Sequence, residues 1–460
     1  LPYVNGKPHI GFALEVVQAD VIARFHVALG EEAVFNIGTD EHGTKIWEKA
    51  KEEGVTPQEF CDRMSEHFRN LKTLLDISYT NFIRTTDAYH VKAAQAFWKR
   101  CEARGDIYKK NYRAKYCVGC ELEKTDSDLV NGKCPEHPNR EIEIVEEENY
   151  FFKFSTYQEA LLALYREQAN FVIPEKRMNE IVAFVERGLQ DFSVSRLASK
   201  MPWGIPVPGD ESHVMYVWFD ALVNYISTIG WDVDQERFEK FWPGVQIAGK
   251  DNLRQQTAMW QAMLLSAKLP PSKQILIHGH ITCNGQKMSK SLGNVVSPEE
   301  MIERFGKDGT RYLLLSAATF GEDIDLSWER MTEKYNADLA NGLGNLVSRV
   351  LKLASKLTTH DVQQTTIFPE EFSVLLENYR LSEGLEYIWN IVRESNKYIE
   401  ENKPWELAKT NPEQFETVMR KLLDDLARIA SLLTPFLPET AEKVFTLLTE
   451  GKGNILFQRV

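Results

Sequence analysis

The sequence predicts an α/β domain built on a parallel sheet, divided by an insertion and followed by an all-α domain. Three observations carry that prediction. Strand-like runs alternate with helix-period stretches in two separate blocks, a cysteine-bearing stretch of different character lies between the blocks, and strand signals vanish beyond about residue 330.

Residues 1–4 read as the end of a strand, and Asn5-Gly6-Lys7-Pro8 is a turn by composition. From Gly11 to about Leu29, Leu14, Val17, Val21, Ile22 and Phe25 recur at helical spacing. Residues 33–37 read as a second strand, running into Gly38-Thr39-Asp40-Glu41-His42-Gly43. Strand, helix, strand at this spacing is a βαβ unit, whose ligands bind beyond the carboxyl ends of the strands, the side on which Asp40 and His42 fall. Helical segments fill 57–105, and an insertion is expected over 106–190. The α/β pattern then resumes: residues 213–219 are strand-like, 245–248 form a strand ending at Gly249-Lys250-Asp251, and 275–277 form one ending at His278-Gly279-His280. The halves of one split sheet are thus expected at 1–105 and 191–330. Leu339, Leu343, Leu346, Val347, Val350, Leu351 and Leu357 open a helical bundle expected over 331–460.

The totals exclude several classes. With 460 residues, 43% hydrophobic and 26% charged, the chain has the composition of an ordinary folded protein. No apolar run approaches the ~20 residues of a bilayer span, so no membrane partner is expected. A net charge of −13 argues against a general basic coat for nucleic acid, while allowing a local basic track. Six cysteines, three clustered and three scattered, are no disulfide framework and suit a reducing, cytoplasmic compartment. Leu1-Pro2 is no signal peptide and is expected to lie just inside the natural N-terminus.

Two segments carry phosphate chemistry. His9-Ile10-Gly11 sits where the first strand turns into the first helix, whose free N–H groups and dipole attract an anion; taken alone, the tripeptide is a weak signal and reads first as a His capping a turn. In Asn284-Gly285-Gln286-Lys287-Met288-Ser289-Lys290-Ser291-Leu292-Gly293-Asn294 two lysines stand three apart between glycines, a loop suited to closing on a polyanion rather than to a solvated turn. Together they form a two-sided clamp of the kind phosphoryl chemistry needs. A third motif, Cys117-x-x-Cys120 followed by Cys134-x-x-His137, has the spacing of a tetrahedral Zn2+ site closed by four protein ligands, hence structural; the alternative is unrelated reduced thiols.

With Leu1-Pro2-Tyr3-Val4-Asn5-Gly6, Gly38-Thr39-Asp40-Glu41-His42-Gly43, Trp203-Gly204-Ile205-Pro206-Val207-Pro208 and Tyr216-Val217-Trp218-Phe219-Asp220-Ala221-Leu222, the two phosphate motifs resemble the paired signature of class I aminoacyl-tRNA synthetases. The whole chain looks like the methionyl-tRNA synthetases, of the bacterial type with a single zinc knuckle. The resemblance implies a Rossmann-like catalytic domain split by a zinc-knuckle insertion and an all-α anticodon-binding helical bundle. It implies activation of L-methionine by ATP and transfer of the methionyl group to tRNA(Met). The residues it implicates as catalytic are His9, Lys287 and Lys290. For ATP with Mg2+ it adds Gly11, Asp251, His278 and Gly279, and for the methionine pocket Leu1, Tyr3, Asp40, Trp218, Ala221, Tyr225 and Gln256. Asn345, Arg349 and Trp405 match positions that read the CAU anticodon. By residue type alone the pocket aromatics read as core, Trp260 as either pocket wall or core, and Trp405 equally as a packing aromatic under a turn or as a base-stacking residue.

Two positions depart from the family pattern. Phe12 stands where the first motif normally has a second His, and Gln256 where the pocket normally has a His. They motivate the alternative of a catalytically inactive synthetase-like tRNA-binding protein, which His9, Asp40, Lys287 and Lys290 oppose. The insertion is too short for a hydrolytic editing domain, so discrimination rests on the pocket. The basic run 109–115 reads as a solvated face, with acceptor-end phosphates as the alternative. A monomer is expected, because no further domain follows the helical one.

Overall fold

The structure is a computed structural model. It describes residues 1–460 except 121, 284, 288–295, 318, 356, 358–367 and 451–455. The chain forms two compact units. One comprises Leu1–Gly6, Gly38–Glu66 and Phe82–Leu276; the other comprises Lys7–Ile37, His67–Asn81 and Ile277–Val460.

In the first unit a parallel sheet carries the strand order Val245–Gly249, Gln274–His278, Val172–Ile173, with Ile275 opposite Val172 and Leu276 opposite Ile173. Ile275 and Leu276 have no solvent exposure, and the helix Trp260–Ser266 is buried almost throughout, as a sheet covered on both faces requires. The chain re-enters this sheet at Val172–Ile173, inside the stretch expected to be insertion as far as 190. A two-residue strand offers no periodicity to read. A second, antiparallel sheet orders Leu122–Lys124, Ile107–Cys117, Glu143–Phe152 and Phe192–Ser193. The basic run 109–115 lies along its long strand, where Lys109 pairs with Asp210 at 2.7 Å and Lys115 with Asp126: it is an ion-paired face.

Residues 213–219 do not form one strand. The strand Asp210–Met215 runs antiparallel to Ser195–Leu197, and after Tyr216 the chain turns into the helix Val217–Leu222. Aromatic and β-branched residues favour a strand locally, but a short apolar run does not separate strand from buried helix, and packing decides. A strand, Asn81–Arg84, also interrupts the stretch expected to be helical from 57 to 105.

The second unit is mainly helical: Ile10–Ala28, Leu381–Asn402, Pro412–Leu433 and Pro438–Glu450 are among its helices, and Pro298–Leu315 is two helical stretches joined across a kink at Gly306. Pro298–Leu315 begins at Ser297, whose hydroxyl accepts from the Glu300 N–H while the Glu300 carboxylate accepts from the Ser297 N–H, and Pro298 occupies the first turn. Its small sheet orders Gln286–Lys287, Ile281–Cys283 and Ile324–Leu326. Among the described residues no helix is long and apolar enough to cross a membrane.

Candidate active site and metal centre

Of the residues expected around ATP, His9, Gly11, His278, Gly279 and Lys287 belong to the second unit and Asp251 to the first. His9 caps the helix Ile10–Ala28: its Nδ1 accepts from the N–H of Gly11 at 3.1 Å and of Phe12 at 3.3 Å. A ring nitrogen that accepts carries no proton, so the proton sits on Nε2. A Cβ on Gly11 would lie 2.9 Å from two atoms of that ring, so glycine is what lets the imidazole fold over the helix end. The Phe12 side chain is 8% exposed and packs edge-on against Phe68, ring centres 5.5 Å apart. His278 is buried, with Nε2 2.9 Å from Glu15 and Nδ1 2.8 Å from the Gly279 carbonyl. A Cβ on Gly279 would lie 2.1 Å from the Glu322 carbonyl oxygen, so backbone packing explains this glycine without a ligand. Lys287 opposes Thr282 in the antiparallel ladder; its side chain, and Lys290 entirely, lie outside the described residues.

The residues expected to line the methionine pocket are all in the first unit. Tyr3 and Asp40 form a parallel bridge, with Val4 N–H to Asp40 O at 3.3 Å and Asp40 N–H to Pro2 O at 2.9 Å. This sets residues 2–4 alongside Asp40, which is only 3% exposed; the strand expected at 33–37 lies at Asn36–Thr39, and residues 1–4 contribute a single bridge rather than a strand. The next two residues lock the strand end. Glu41 takes Arg84 at 2.7 and 2.9 Å and the hydroxyls of Thr39 and Thr86. His42 Nδ1 meets Asp220 at 3.1 Å, and His90 Nε2 lies 3.9 Å from the other oxygen of the same carboxylate. Burial alone would raise the Asp220 carboxyl; the two imidazoles outweigh it and hold it below the ordinary carboxylate range. Asp220 sits in the helix that presents Trp218 and Ala221, so this buried cluster ties the Asp40 loop to the aromatic wall. Trp218 is half-buried, and its indole N–H has no hydrogen-bond partner among the described residues. Tyr225 lies 6.2 Å, ring to ring, from the fully buried Trp260. Gln256 is buried in a π-helical turn, Gln255–Met259, a geometry often found at functional sites. Asp251 is exposed in the short turn Lys250–Asn252 that follows the strand Val245–Gly249.

Sequence reasoning did not single out Arg84, His90 or Asp220. The one available signal was Asp220 itself, a carboxylate set in an aromatic, apolar run.

Cys117, Cys120, Cys134 and His137 converge, their ligand atoms all within 4.8 Å of one another. Cys120 Sγ lies 3.4 Å from Cys134 Sγ and 3.3 Å from His137 Nδ1; Cys117 and Cys134 lie 3.9 and 4.0 Å from that nitrogen. Thiolates at about 2.3 Å from a tetrahedral zinc stand about 3.7 Å apart, so the donor set fits Zn2+. A Cβ on Gly119 would lie 2.4 Å from the His137 ring, so Gly119 makes the room for this ligand.

On the helical side Asn345 is exposed and Arg349 half-buried, one turn apart on the helix Asn345–Ala354. The Arg349 guanidinium lies 5.9 Å from the Trp405 ring centre and is held by Glu400 at 2.7 Å. Trp405 is 37% exposed.

Comparison with known proteins agrees with this arrangement. Residues 1–143 and 138–351 match the family described as tRNA synthetases class I (M), and 356–455 match the anticodon binding domain of methionyl tRNA ligase. The chain is 41% identical over 463 residues to the methionine--tRNA ligase of Thermotoga maritima, covering 96% of this chain and 73% of that protein. It is 41% identical over 467 residues to that of Brucella suis, covering 97% and 90%. A solved structure, Mycobacterium tuberculosis methionyl-tRNA synthetase in complex with methionyl-adenylate, is similar with a TM-score of 0.91 at 36% identity, over 97% of this chain and 92% of that one.

Proposed function

The chain belongs to the methionyl-tRNA synthetases of class I, and from that premise we propose how its own residues perform the family's reaction. The protein activates L-methionine with ATP to methionyl-adenylate and diphosphate, then passes the methionyl group to tRNA(Met) with release of AMP. One observation carries this reading: a methionyl-type class I catalytic region and a methionyl anticodon domain match together along nearly the whole of one chain.

A carboxylate is already nucleophilic at neutral pH, so activation needs neutralised phosphate charge and in-line geometry rather than a base. With Nδ1 committed to the helix cap, His9 has Nε2–H as its donor to a phosphate oxygen. Phe12 adds no donor, and its packing against Phe68 leaves His9 as the side-chain donor of this turn. Lys287 and Lys290 hold the diphosphate in this reading, with Mg2+ accompanying ATP and Gly11, Asp251, His278 and Gly279 around the nucleotide. Asp40 takes the α-ammonium. Leu1, Tyr3, Trp218, Ala221, Tyr225 and Gln256 surround the side chain, where aromatic rings suit a polarizable thioether. Cys117, Cys120, Cys134 and His137 would hold a structural zinc that staples the insertion. Asn345, Arg349 and Trp405 read the anticodon by hydrogen bonding and stacking. The protein works in the cytoplasm.

The test is amino-acid-dependent ATP–pyrophosphate exchange with methionine, leucine, isoleucine and valine. Exchange with methionine alone is expected. No exchange with any of them, by protein that still binds tRNA, would overturn the enzyme reading in favour of an inactive RNA-binding relative.

A further inference from the structure

Three buried polar side chains linked to Gln256 determine which end of its amide is free. Gln246 lies in the strand Val245–Gly249, Gln256 in the π-helical turn, Gln261 in the helix Trp260–Ser266, and Ser272 just before the strand Gln274–His278. None is more than 4% exposed. Amide oxygen and nitrogen look alike, but two partners here have only one possible role. The Ser272 backbone N–H can only donate, and it meets Gln261 Oε1 at 3.0 Å. The Gln256 backbone carbonyl can only accept, and it meets Gln261 Nε2 at 2.8 Å. Gln261 is therefore fixed twice over.

The rest follows link by link. Gln261 Nε2 also donates to Ser272 Oγ at 3.1 Å. The Ser272 hydroxyl then sends its single proton to Gln246 Oε1. Gln246 consequently offers Nε2, which donates to Gln256 Oε1 at 3.1 Å. Turning Gln246 around would aim two donors at Ser272 Oγ and leave the buried hydroxyl proton without an acceptor. With its oxygen taken, Gln256 has its NH2 left over, and that group makes no hydrogen bond among the described residues.

We infer that Gln246, Ser272 and Gln261 are positioning residues that lock the Gln256 amide with its NH2 toward the methionine side chain, making Gln256 a neutral N–H donor that favours a thioether over a methylene. The inference rests on the reading above that Gln256 lines the methionine pocket. Sulfur is a weak acceptor and a methylene is none, so the probe is norleucine, which carries CH2 in place of the sulfur.

The experiment measures ATP–pyrophosphate exchange with methionine and with norleucine for the whole chain and for Gln256→Leu, Gln246→Leu and the double variant. Gln256→Leu is expected to lower the methionine-to-norleucine ratio of kcat/KM about three- to tenfold. Gln246→Leu lowers it in the same direction, mainly through the methionine KM, and adds nothing once Gln256 is Leu. Should Gln246→Leu not fold, Ser272→Ala removes a single oxygen, breaks the same relay and carries the same expectation. Additive losses would mean that Gln246 acts only on structure, and would overturn the relay. A ratio unchanged by Gln256→Leu, with methionine exchange intact, would overturn the inference and leave the proposed function standing. An unmodified chain that shows no methionine exchange would overturn both.

Discussion

Arg311 and Asp20 meet at 2.8 Å with neither side chain exposed to solvent. Asp20 belongs to the helix that His9 caps, and its carboxylate also takes Arg24 at 2.8 Å and the N–H and hydroxyl of Ser78. The other Arg311 donors reach the carbonyls of Phe436, Leu75 and Pro435. One ion pair thus fastens the helix behind His9 to two distant segments of the second unit. Removing one partner of a buried pair strands the other charge. Arg311→Met is expected to cost about 3–5 kcal/mol, read from urea midpoints, and Asp20→Leu in the same chain to recover part of it. A loss below about 1 kcal/mol would show that the pair does not hold the helix.

The knuckle ligands give a prediction with a direct elemental readout. Cys134→Ser is expected to remove bound zinc, measured by atomic emission after dialysis, and His137→Cys to retain it, because both residue types satisfy the same tetrahedral site. Zinc retained by Cys134→Ser would place the metal elsewhere.

Much of this was legible in the sequence because it is local. The helix Ile10–Ala28 follows from apolar spacing, the His9 cap and Gly11 from a three-residue motif, and the knuckle from two short spacings. The βαβ reading pairs the right neighbourhoods, residues 1–4 with the run leading to Asp40, but sets the second strand at 33–37 where it lies at Asn36–Thr39. What escaped was decided by packing between distant segments. Asp220 draws His42 and His90 from 178 and 130 positions away, and no local pattern encodes such a meeting. The helix Val217–Leu222 reads as a strand until burial of its aromatic residues on both sides is known, and Val172–Ile173 is too short for any period. The orientation of Gln256 needs four residues from three elements at once.

Phe12 is a packing residue in this structure, which sets the outcome of restoring a histidine there. Phe12→His gives up an edge-on aromatic contact with Phe68 and puts a polar ring into a site with 8% exposure. The variant is expected to lose about 1–3 kcal/mol of stability, by thermal denaturation, without a rise in methionine-dependent exchange. A rise of tenfold or more would show that the missing donor limits activation.

Asp220 gives a pH signature. Its carboxyl is held below the ordinary carboxylate range because His42 and His90 outweigh burial. A carboxyl depressed in the folded state contributes stability above its unfolded value, near 3.9, and loses it as pH falls through the folded value. Asp220→Asn should therefore melt at a lower temperature than the unmodified chain at about pH 5–7, and the gap should narrow below about pH 4. A gap that widens on acidification would reverse the sign and remove the pairing as its cause.

Charging of tRNA and activation of methionine are expected to respond differently to changes at Trp405 and Arg349. Arg349 lies 5.9 Å from the Trp405 ring and is anchored by Glu400, so the guanidinium and the indole are arranged before any RNA arrives. A large aromatic left 37% exposed beside a fixed cation suits a base from an unpaired loop. Stacking one base on an aromatic ring is worth about 1–3 kcal/mol, so Trp405→Ala is expected to lower kcat/KM for tRNA charging roughly 10- to 100-fold. Methionine-dependent ATP–pyrophosphate exchange, which requires no tRNA, should stay within about twofold, since Trp405 takes no part in activation. Arg349→Ala should follow the same split, with a smaller loss in charging because only the cation is removed. If Trp405→Ala lowers exchange and charging together and its melting temperature falls, the tryptophan is a packing residue of the bundle and the base is read elsewhere.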